Sequence, residues 1–243
     1  MSMKKIYKSL SGFTLIEMSI VLIVISLILG GVLKIVGVQR QQLKRDETRQ
    51  MLVDINQALI GFATVEGRLP CPDTTGDGIG DPAAPVAGDP CTSEEGFLPH
   101  TDLGVKAEDA WGNAFRYRVR GNGVESFADL PPSQAAPTTA NDSSFSMDDD
   151  GDIIVTDRLG NTIANNIPAI VLSYGENGAR TIANGFPCAV GFPSSTEDEN
   201  CNNDITFIHD DFSSVAGSEY DDLVIWVSLT ILKSRMLEAA KLP

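Results

Sequence analysis

Two turns rich in aspartate and glycine contain the residue types that bind a hard cation. The first covers residues 73–81, and the second places Asp148, Asp150 and Asp152 around Gly151. Calcium takes six to eight oxygen ligands, and alternating carboxylates around a glycine turn resemble half of an EF-hand loop. Neither turn completes that pattern, so a solvated acidic turn is the alternative. Asp148, Asp150 and Asp152 are the candidate metal ligands; the sequence requires no cofactor, and calcium is the one it suggests.

A lone carboxylate in an apolar segment is a second feature with chemical consequences. Glu17 lies within an apolar run that extends to about Val38, and Lys4, Lys5 and Lys8 precede it. An unpaired acid inside a bilayer costs a few kcal/mol, so an acid at this position predicts a function. The run has about the ~20 residues needed to cross a bilayer core. We therefore expect one membrane-spanning segment over residues 13–38.

The cysteines predict disulfide bonds. Their number is even in a domain that we expect to be exported, which indicates a disulfide framework with three possible connectivities. Proximity in sequence favours Cys71–Cys91 and Cys188–Cys201, each closing a polar loop and stabilising the fold by roughly 2–4 kcal/mol. A zinc site is the alternative, but the sequence has no Cys-x-x-Cys pair and neither histidine lies close to a cysteine.

Catalysis has little support in the sequence. His209, Asp210 and Asp211 could form a base with an orienting acid, but Ser213 and Ser214 lie in no nucleophile elbow. We therefore expect no enzymatic activity.

The charge is distributed unevenly along the chain. Residues 1–12 carry a net charge of +3, residues 13–67 are neutral, and residues 68–243, which we call the head, carry −18. A domain this acidic repels phosphate backbones, which proteins bind by neutralising them with lysine and arginine. The composition therefore excludes a nucleic acid partner and suits a soluble domain or one that binds cations.

One long helix is predicted from about Phe13 to Val65. It is apolar on all sides at first, and over residues 39–67 it becomes amphipathic. Gly67 and Pro70 are its predicted end. The apolar residues at helical spacing in the second half are Leu43, Met51, Ile55, Ala58, Leu59 and Phe62.

The head is predicted to contain an antiparallel sheet with long loops held by disulfides. Phe115, Tyr117 and Val119 alternate with arginines, which indicates a strand with one buried and one solvated face, and Trp111 before it is a predicted core residue. Further candidate strands are Ile153–Thr156, Ala169–Tyr174, Ile205–Ile208 and Leu223–Leu229, and a short helix is predicted over Ile231–Ala240. The last strand is apolar on both faces, which is typical of a central strand. The fold class is α+β, with the long helix packed on the sheet.

The N-terminal residues resemble a known processing site. Gly12-Phe13-Thr14-Leu15-Ile16-Glu17, after a basic leader and before an apolar run, is similar to the cleavage site of type IV prepilins and type II secretion pseudopilins. The resemblance implies that a prepilin peptidase cuts after Gly12 and methylates the new amino group of Phe13. It also implies that Glu17 neutralises that amino group on a neighbouring subunit, because each charge alone would be costly in an apolar core.

Two motifs in the head resemble the major pseudopilin of type II secretion. Residues 109–117, Asp-Ala-Trp-Gly-Asn-Ala-Phe-Arg-Tyr, are similar to its Asp-Pro-Trp-Gly-Asn-Pro-Tyr-x-Tyr signature, with alanines in place of both prolines. Residues 173–178 resemble the loop near the calcium site of that family, with Asn177 in place of the expected aspartate. Major pilins commonly carry a proline at the position of Lys34, and this departure from their pattern favours a minor pilin or a pseudopilin.

The resemblance implies a pilin-like organisation and a structural function. Residues 1–12 would be the leader, 13–38 the membrane and filament-core half of the helix, 39–67 its amphipathic half and 68–243 a periplasmic or extracellular head. The protein would cross the inner membrane once and later enter a filament, at the cell surface in the case of a pilus. Its partners would be prepilin peptidase, other pilins or pseudopilins, and the inner membrane. The alternatives are an adhesin carried on a pilus and an anchored protein that does not assemble.

Overall fold

The computed structural model describes residues 12–83, 89–121, 126–129, 143–178, 195–202 and 204–242, without the side chains of residues 28–38. The chain divides between Leu43 and Lys44 into two units. The first contains the beginning of the long helix, and the second contains the rest of that helix and the head.

The long helix, α1, covers Leu15–Glu66. Its end agrees with the prediction, because Gly67 adopts a φ of 76° and its N–H donates to the Ala63 carbonyl at 2.9 Å. Glycine adopts this left-handed conformation without the steric penalty that a side chain brings. Over the described part of the chain, no helix contains an apolar stretch of the length that a bilayer crossing requires.

The strands of the head form two sheets. The first contains β1 (Glu95–Phe97), β2 (Arg116–Val119), β5 (Ala169–Ser173) and β7 (Leu223–Trp226), all antiparallel and in the order β1-β2-β5-β7. The second has the order β4-β3-β6, from β3 (Ile153–Thr156), β4 (Thr162–Ile167) and β6 (Thr206–Ile208), with β3 and β6 parallel. The short helices are α2 (His100–Leu103), α3 (Ser195–Glu199) and α4 (Leu229–Glu238). The fold is therefore α+β, as predicted.

The first sheet is covered on both faces. On one face, Val171 of β5 belongs to a core with Ile55 and Leu59 of α1. On the other, Leu172 of β5 belongs to a second core with Val155 of the second sheet. Successive residues of a strand point to opposite faces, so β5 contributes to both cores, and all five of its residues are buried.

The predicted solvated face of β2 is wrong. Phe115, Tyr117 and Val119 are buried as predicted, but Arg116 and Arg118 are also buried, at 1% and 6% exposure. Arg116 forms an ion pair with Glu95, and Arg118 lies 3.4 Å from the same residue and 3.1 Å from Glu94. Because the second sheet covers this face, the arginines are paired with acids, of which Glu95 is buried, instead of solvated.

The position predicted for the last strand is also wrong. β7 lies at one end of the first sheet, not at its centre. It is apolar on both faces because both faces of the sheet are covered. A strand at the end of the sheet can be covered in this way without a neighbouring strand on its outer edge. The helix predicted after it is confirmed as α4. β1, α2 and the largely exposed β4 lie in segments for which no element was predicted, and Trp111 is half-exposed, not part of the core.

The predicted Cys71–Cys91 disulfide is confirmed, with the Cα atoms 5.4 Å apart. Cys201 is also disulfide-bonded. Cys188 lies outside the described residues, so the Cys188–Cys201 pairing stays a prediction.

Candidate functional site

The first turn of α1 is closed by a reciprocal pair of hydrogen bonds. The Glu17 N–H donates to Thr14 Oγ1 at 3.3 Å, and the Thr14 N–H donates to Glu17 Oε2 at 3.5 Å. This is a capping box, in which each side chain satisfies a backbone N–H that lacks a partner in the helix. Glu17 therefore has a local structural role within the chain, in addition to any role in pairing with another subunit.

The beginning of α1 exposes apolar side chains on every side. Phe13, Leu15 and Leu27 are 75%, 91% and 73% exposed, and six consecutive apolar residues between them are each at least 46% exposed. Consecutive helical residues lie about 100° apart around the axis, so these six cover the full circumference. Soluble monomers rarely expose so large a continuous apolar surface. The six residues are Ile20, Val21, Leu22, Ile23, Val24 and Ile25.

The hydroxyl groups in this segment are satisfied within the helix. Ser19 donates to the Ile16 carbonyl and Ser26 to the Leu22 carbonyl, both at 2.8 Å. A serine bonded in this way does not require water or another polar partner for its proton. The two polar side chains are therefore compatible with an apolar environment.

In the head, three carboxylates converge. Glu197 of α3 and Asp221 and Asp222, which directly precede β7, each place one carboxylate oxygen within 4.8 Å of the other two. Glu197 and Asp222 are buried, at 1% and 3% exposure. We call these three residues the carboxylate cluster. Within the described residues it is the single group of three or more metal-ligating side chains that are this close together.

The loop over residues 173–178 closes onto the cluster. The Glu176 N–H donates to Asp221 Oδ2 at 2.8 Å, and Asn177 Nδ2 donates to Glu197 Oε2 at 3.0 Å. Gly175 has a φ of 61°, and a Cβ there would lie 2.6 Å from the Asp221 carbonyl oxygen. The approach of this loop to Asp221 therefore requires glycine at position 175.

Several oxygens at the cluster have no hydrogen-bond donor. Asp222 Oδ2 accepts from Asn200 Nδ2 at 2.7 Å, but its Oδ1 is buried and has no partner in the described chain. The Oδ1 atoms of Asp221 and Asn177 are also buried and have no hydrogen-bond partner among the described residues. A buried acceptor without a partner is destabilising, so a proton or a cation bound at the cluster would stabilise the fold.

Without a cation, the protonated forms of the carboxyl groups in the carboxylate cluster are favoured. Burial, together with the neighbouring Asp221, raises the pKa of Glu197 to about 7. Burial also raises the pKa of Asp221, and it raises that of Asp222 well above its ordinary value. Like charges held close together disfavour full ionisation of the group. The oxygen-only ligand set suits a hard divalent cation such as calcium, which would favour the ionised forms.

The structure does not bring the predicted metal ligands Asp148, Asp150 and Asp152 into a group of this kind. A protein cation occupies part of that turn, because Lys233 Nζ donates to the carbonyls of Met147 and Asp149 at 2.8 and 2.5 Å. Asp150 Oδ2 accepts from the side chain of Asn166. A role for these aspartates in metal binding stays a prediction.

The first acidic turn is built around a buried aspartate. Asp73 is 1% exposed, and its carboxylate accepts the N–H groups of Thr75, Gly76 and Gly78 at 2.6 to 2.9 Å. Asp81 Oδ2 accepts the Thr74 N–H at 2.7 Å. Both acids therefore hold the backbone of the loop that the Cys71–Cys91 disulfide closes.

Sequence reasoning missed the carboxylate cluster. Glu197 is separated from Asp221 by 24 positions, and no short motif contains both. The available signal was the pair Asp221-Asp222 directly before the apolar strand β7, together with the loop over 173–178. These segments meet because β5, which precedes the loop, pairs with β7.

The candidate base, His209, lies beside Trp226, with ring centroids 5.6 Å apart. Burial lowers its pKa. The Ser213 hydroxyl accepts a hydrogen bond from the Val215 N–H, and among the described residues neither Ser213 nor Ser214 forms a hydrogen bond with His209. The expectation that the protein is not an enzyme stays a prediction.

No protein-family model matches the chain, and no match appears among curated proteins or solved structures.

Proposed function

We propose that this protein is a structural filament subunit, a minor pilin or pseudopilin of a type IV pilus or a type II secretion apparatus. The carrying observation is the apolar surface of α1, which is exposed on every side from Phe13 to Leu27 directly after Gly12. Such a surface requires lipid around it before assembly and apolar partners after it. Identical helices of neighbouring subunits meet that requirement.

Processing gives the first turn of α1 a second function. Removal of residues 1–12 makes Phe13 the N-terminal residue, with a positive charge next to the apolar surface. Glu17 lies one helical turn away from Phe13, in the capping box. In the filament, its carboxylate pairs with the Phe13 amino group of a neighbouring subunit, which removes two uncompensated charges from an apolar environment.

The mass of the mature protein tests this proposal. Protein purified from membranes of cells with a prepilin peptidase should lack residues 1–12 and carry one additional methyl group at Phe13. Replacing Gly12 with leucine should leave the full-length mass, because the cleavage motif is lost. A mature N-terminus beyond the apolar run would exclude the filament proposal.

A second candidate function is cation binding by the head. The observation that favours it is the buried Asp222 Oδ1, which has no partner among the described residues. Glu197, Asp221, Asp222 and the side-chain carbonyl of Asn177 would hold a calcium ion. The ion would supply positive charge to a buried acidic group and fix the loop over 173–178 next to β7.

Thermal unfolding of the full chain in detergent tests cation binding. Calcium should raise the melting temperature and a chelator should reverse the effect, because a ligand of the native state alone stabilises it by mass action. Asp222→Asn should abolish the calcium response. Asp54→Asn, at an exposed residue of α1 outside the cluster and outside both acidic turns, is the matched control and should retain it. An equal loss in both variants would contradict the assignment.

A further inference from the structure

The outer edge of β7 carries backbone groups without partners. β7 ends the first sheet, and the Val227 N–H donates to the Ala169 carbonyl of the neighbouring chain segment at 2.9 Å. Antiparallel pairs alternate between bonded and non-bonded residues, so Val224 and Trp226 direct their N–H and C=O groups away from β5. The Trp226 carbonyl accepts from Asn56 Nδ2 at 3.5 Å. The other three groups have no partner in the described chain.

Val224 lines a cleft of about 380 Å³. Its floor is β7, at Leu223–Ile225. One wall is α1, with Leu52 and Val53, and the other wall is the segment His209–Asp211 that follows β6. A cleft between an edge strand and a helix can receive an extended peptide that adds one strand to the sheet. We call this cleft the edge groove.

The α1 wall of the edge groove is lined by two apolar side chains and one arginine. Leu52 is buried, and Val53 is 41% exposed although it is a large hydrophobic residue on a helix that otherwise packs on the sheet. Arg49, at the same wall, is already paired with Asp46 at 3.1 Å. A side chain directed toward α1 would therefore meet Leu52 and Val53, next to an arginine whose charge is compensated.

The opposite wall is acidic. Asp210 is paired with Arg158, but the Asp211 carboxylate forms no hydrogen bond or ion pair with the residues described. His209 Nδ1 is buried and also lacks a hydrogen-bond partner. A side chain directed toward this wall would be favoured if it were positively charged.

We propose that the edge groove binds an extended segment of a partner protein as an additional strand on β7. Strand side chains alternate between two faces, so the two walls select a segment with apolar residues toward α1 and basic residues toward Asp211. Hydrogen bonds from its backbone satisfy the outward groups of Val224, which is only 9% exposed. The proposal does not depend on the filament function, because it concerns residues of the head and the adjoining part of α1.

A pair of synthetic peptides tests the proposal. One is fluorescein-labelled Thr-Lys-Val-Lys-Thr-amide and the other is Thr-Glu-Val-Glu-Thr-amide, which has the same backbone and the opposite charge. Fluorescence anisotropy is measured against the full chain in detergent. The lysine peptide should bind about tenfold more tightly than the glutamate peptide, because the free charge of the groove is negative.

Two variants separate the contribution of the backbone hydrogen bonds to peptide binding from that of the charge. Val224→Pro removes the outward N–H while the β5–β7 hydrogen bonds remain, since proline is tolerated on an edge strand when its nitrogen faces outward. Asp211→Asn removes the free charge. Each should weaken binding of the lysine peptide about fivefold or more, and the control Asp148→Asn should change it by less than about twofold. Melting temperatures verify that each variant is folded.

Three outcomes would overturn the proposal. The first is that neither peptide binds, and the second is that both bind equally. The third is that folded Val224→Pro and Asp211→Asn retain the affinity of the natural chain, which would place the peptide elsewhere on the acidic head.

Discussion

At the scale of the single residue, Glu17 has an observed role in the capping box and a proposed role in assembly, and a pair of substitutions can separate them. Glutamine retains a side-chain oxygen for the Thr14 N–H, so Glu17→Gln preserves the capping box and removes the charge. Glu17→Ala removes both. If the carboxylate pairs with the Phe13 amino group of a neighbour, both variants should enter filaments about tenfold less than the natural subunit, because an uncompensated charge is costly there.

The amounts of subunit in sheared filaments and in membranes, compared by immunoblot, measure this effect. Both variants should remain in the membrane fraction. Incorporation of Glu17→Gln at the natural level, with a defect in Glu17→Ala alone, would show that the cap is sufficient and that the charge has no role in assembly.

At the scale of the element, the end of α4 contains a residue in an unfavourable conformation. The Lys241 N–H donates to the Met236 carbonyl and the Ala240 N–H to the Leu237 carbonyl, which is a Schellman motif with Ala240 at a φ of 54°. Glycine is preferred at that position because a Cβ is crowded in the left-handed region. Ala240→Gly should raise the free energy of unfolding by about 0.5–1 kcal/mol, and the melting temperature by roughly 1–4 °C.

The adjacent alanine is the control for this prediction. Ala239 has a φ of −82°, which alanine adopts without strain. Ala239→Gly should therefore lower the melting temperature in the same calorimetric experiment. Stabilisation by both substitutions, or by neither, would mean that α4 ends in a different conformation in solution.

At the scale of the whole molecule, the carboxylate cluster predicts how stability depends on pH. Burial raises the pKa of Glu197 from 4.5 to about 7, so the native state holds a proton that the unfolded chain releases at lower pH. Its contribution to stability is present below about pH 4.5 and is lost as pH rises to about 7. With a chelator present, loss of this contribution should lower the melting temperature of the protein by a few degrees between pH 4.5 and 7.

Calcium should reduce this fall, because it replaces the proton at the cluster. Glu197→Gln supplies the comparison, since its side chain has no acid to titrate and its melting temperature should vary less between pH 4.5 and 7. Identical pH profiles for the natural chain and Glu197→Gln, each measured in a chelator, would show that another group controls the dependence.

The sequence predicted those parts of the molecule whose signal is local. α1, β3, β5, α4 and the Cys71–Cys91 bond follow from periodicity or proximity along the chain. The burial of Arg116 and Arg118 could not be predicted, because it depends on the second sheet, whose placement follows from no single segment. β4 carries few apolar residues to reveal it, and the carboxylate cluster arises only when β5 and β7 pair. The motif from Gly12 to Glu17, by contrast, can be recognised from the sequence alone, because its residues are contiguous.

The first core has a consequence for the order of events during synthesis. Asn56 of α1 contacts Trp226 across 170 positions of sequence, and Leu232 and Met236 of α4 belong to the same core as Leu52 and Ile55. Because the chain is synthesised from the N- to the C-terminus, the apolar stripe of α1 stays exposed until nearly the whole head has been synthesised. The disulfide at Cys71 and Cys91 spans only 20 positions and can form long before then. The disulfide can therefore constrain one loop early in folding, whereas the C-terminal elements pack against α1 last.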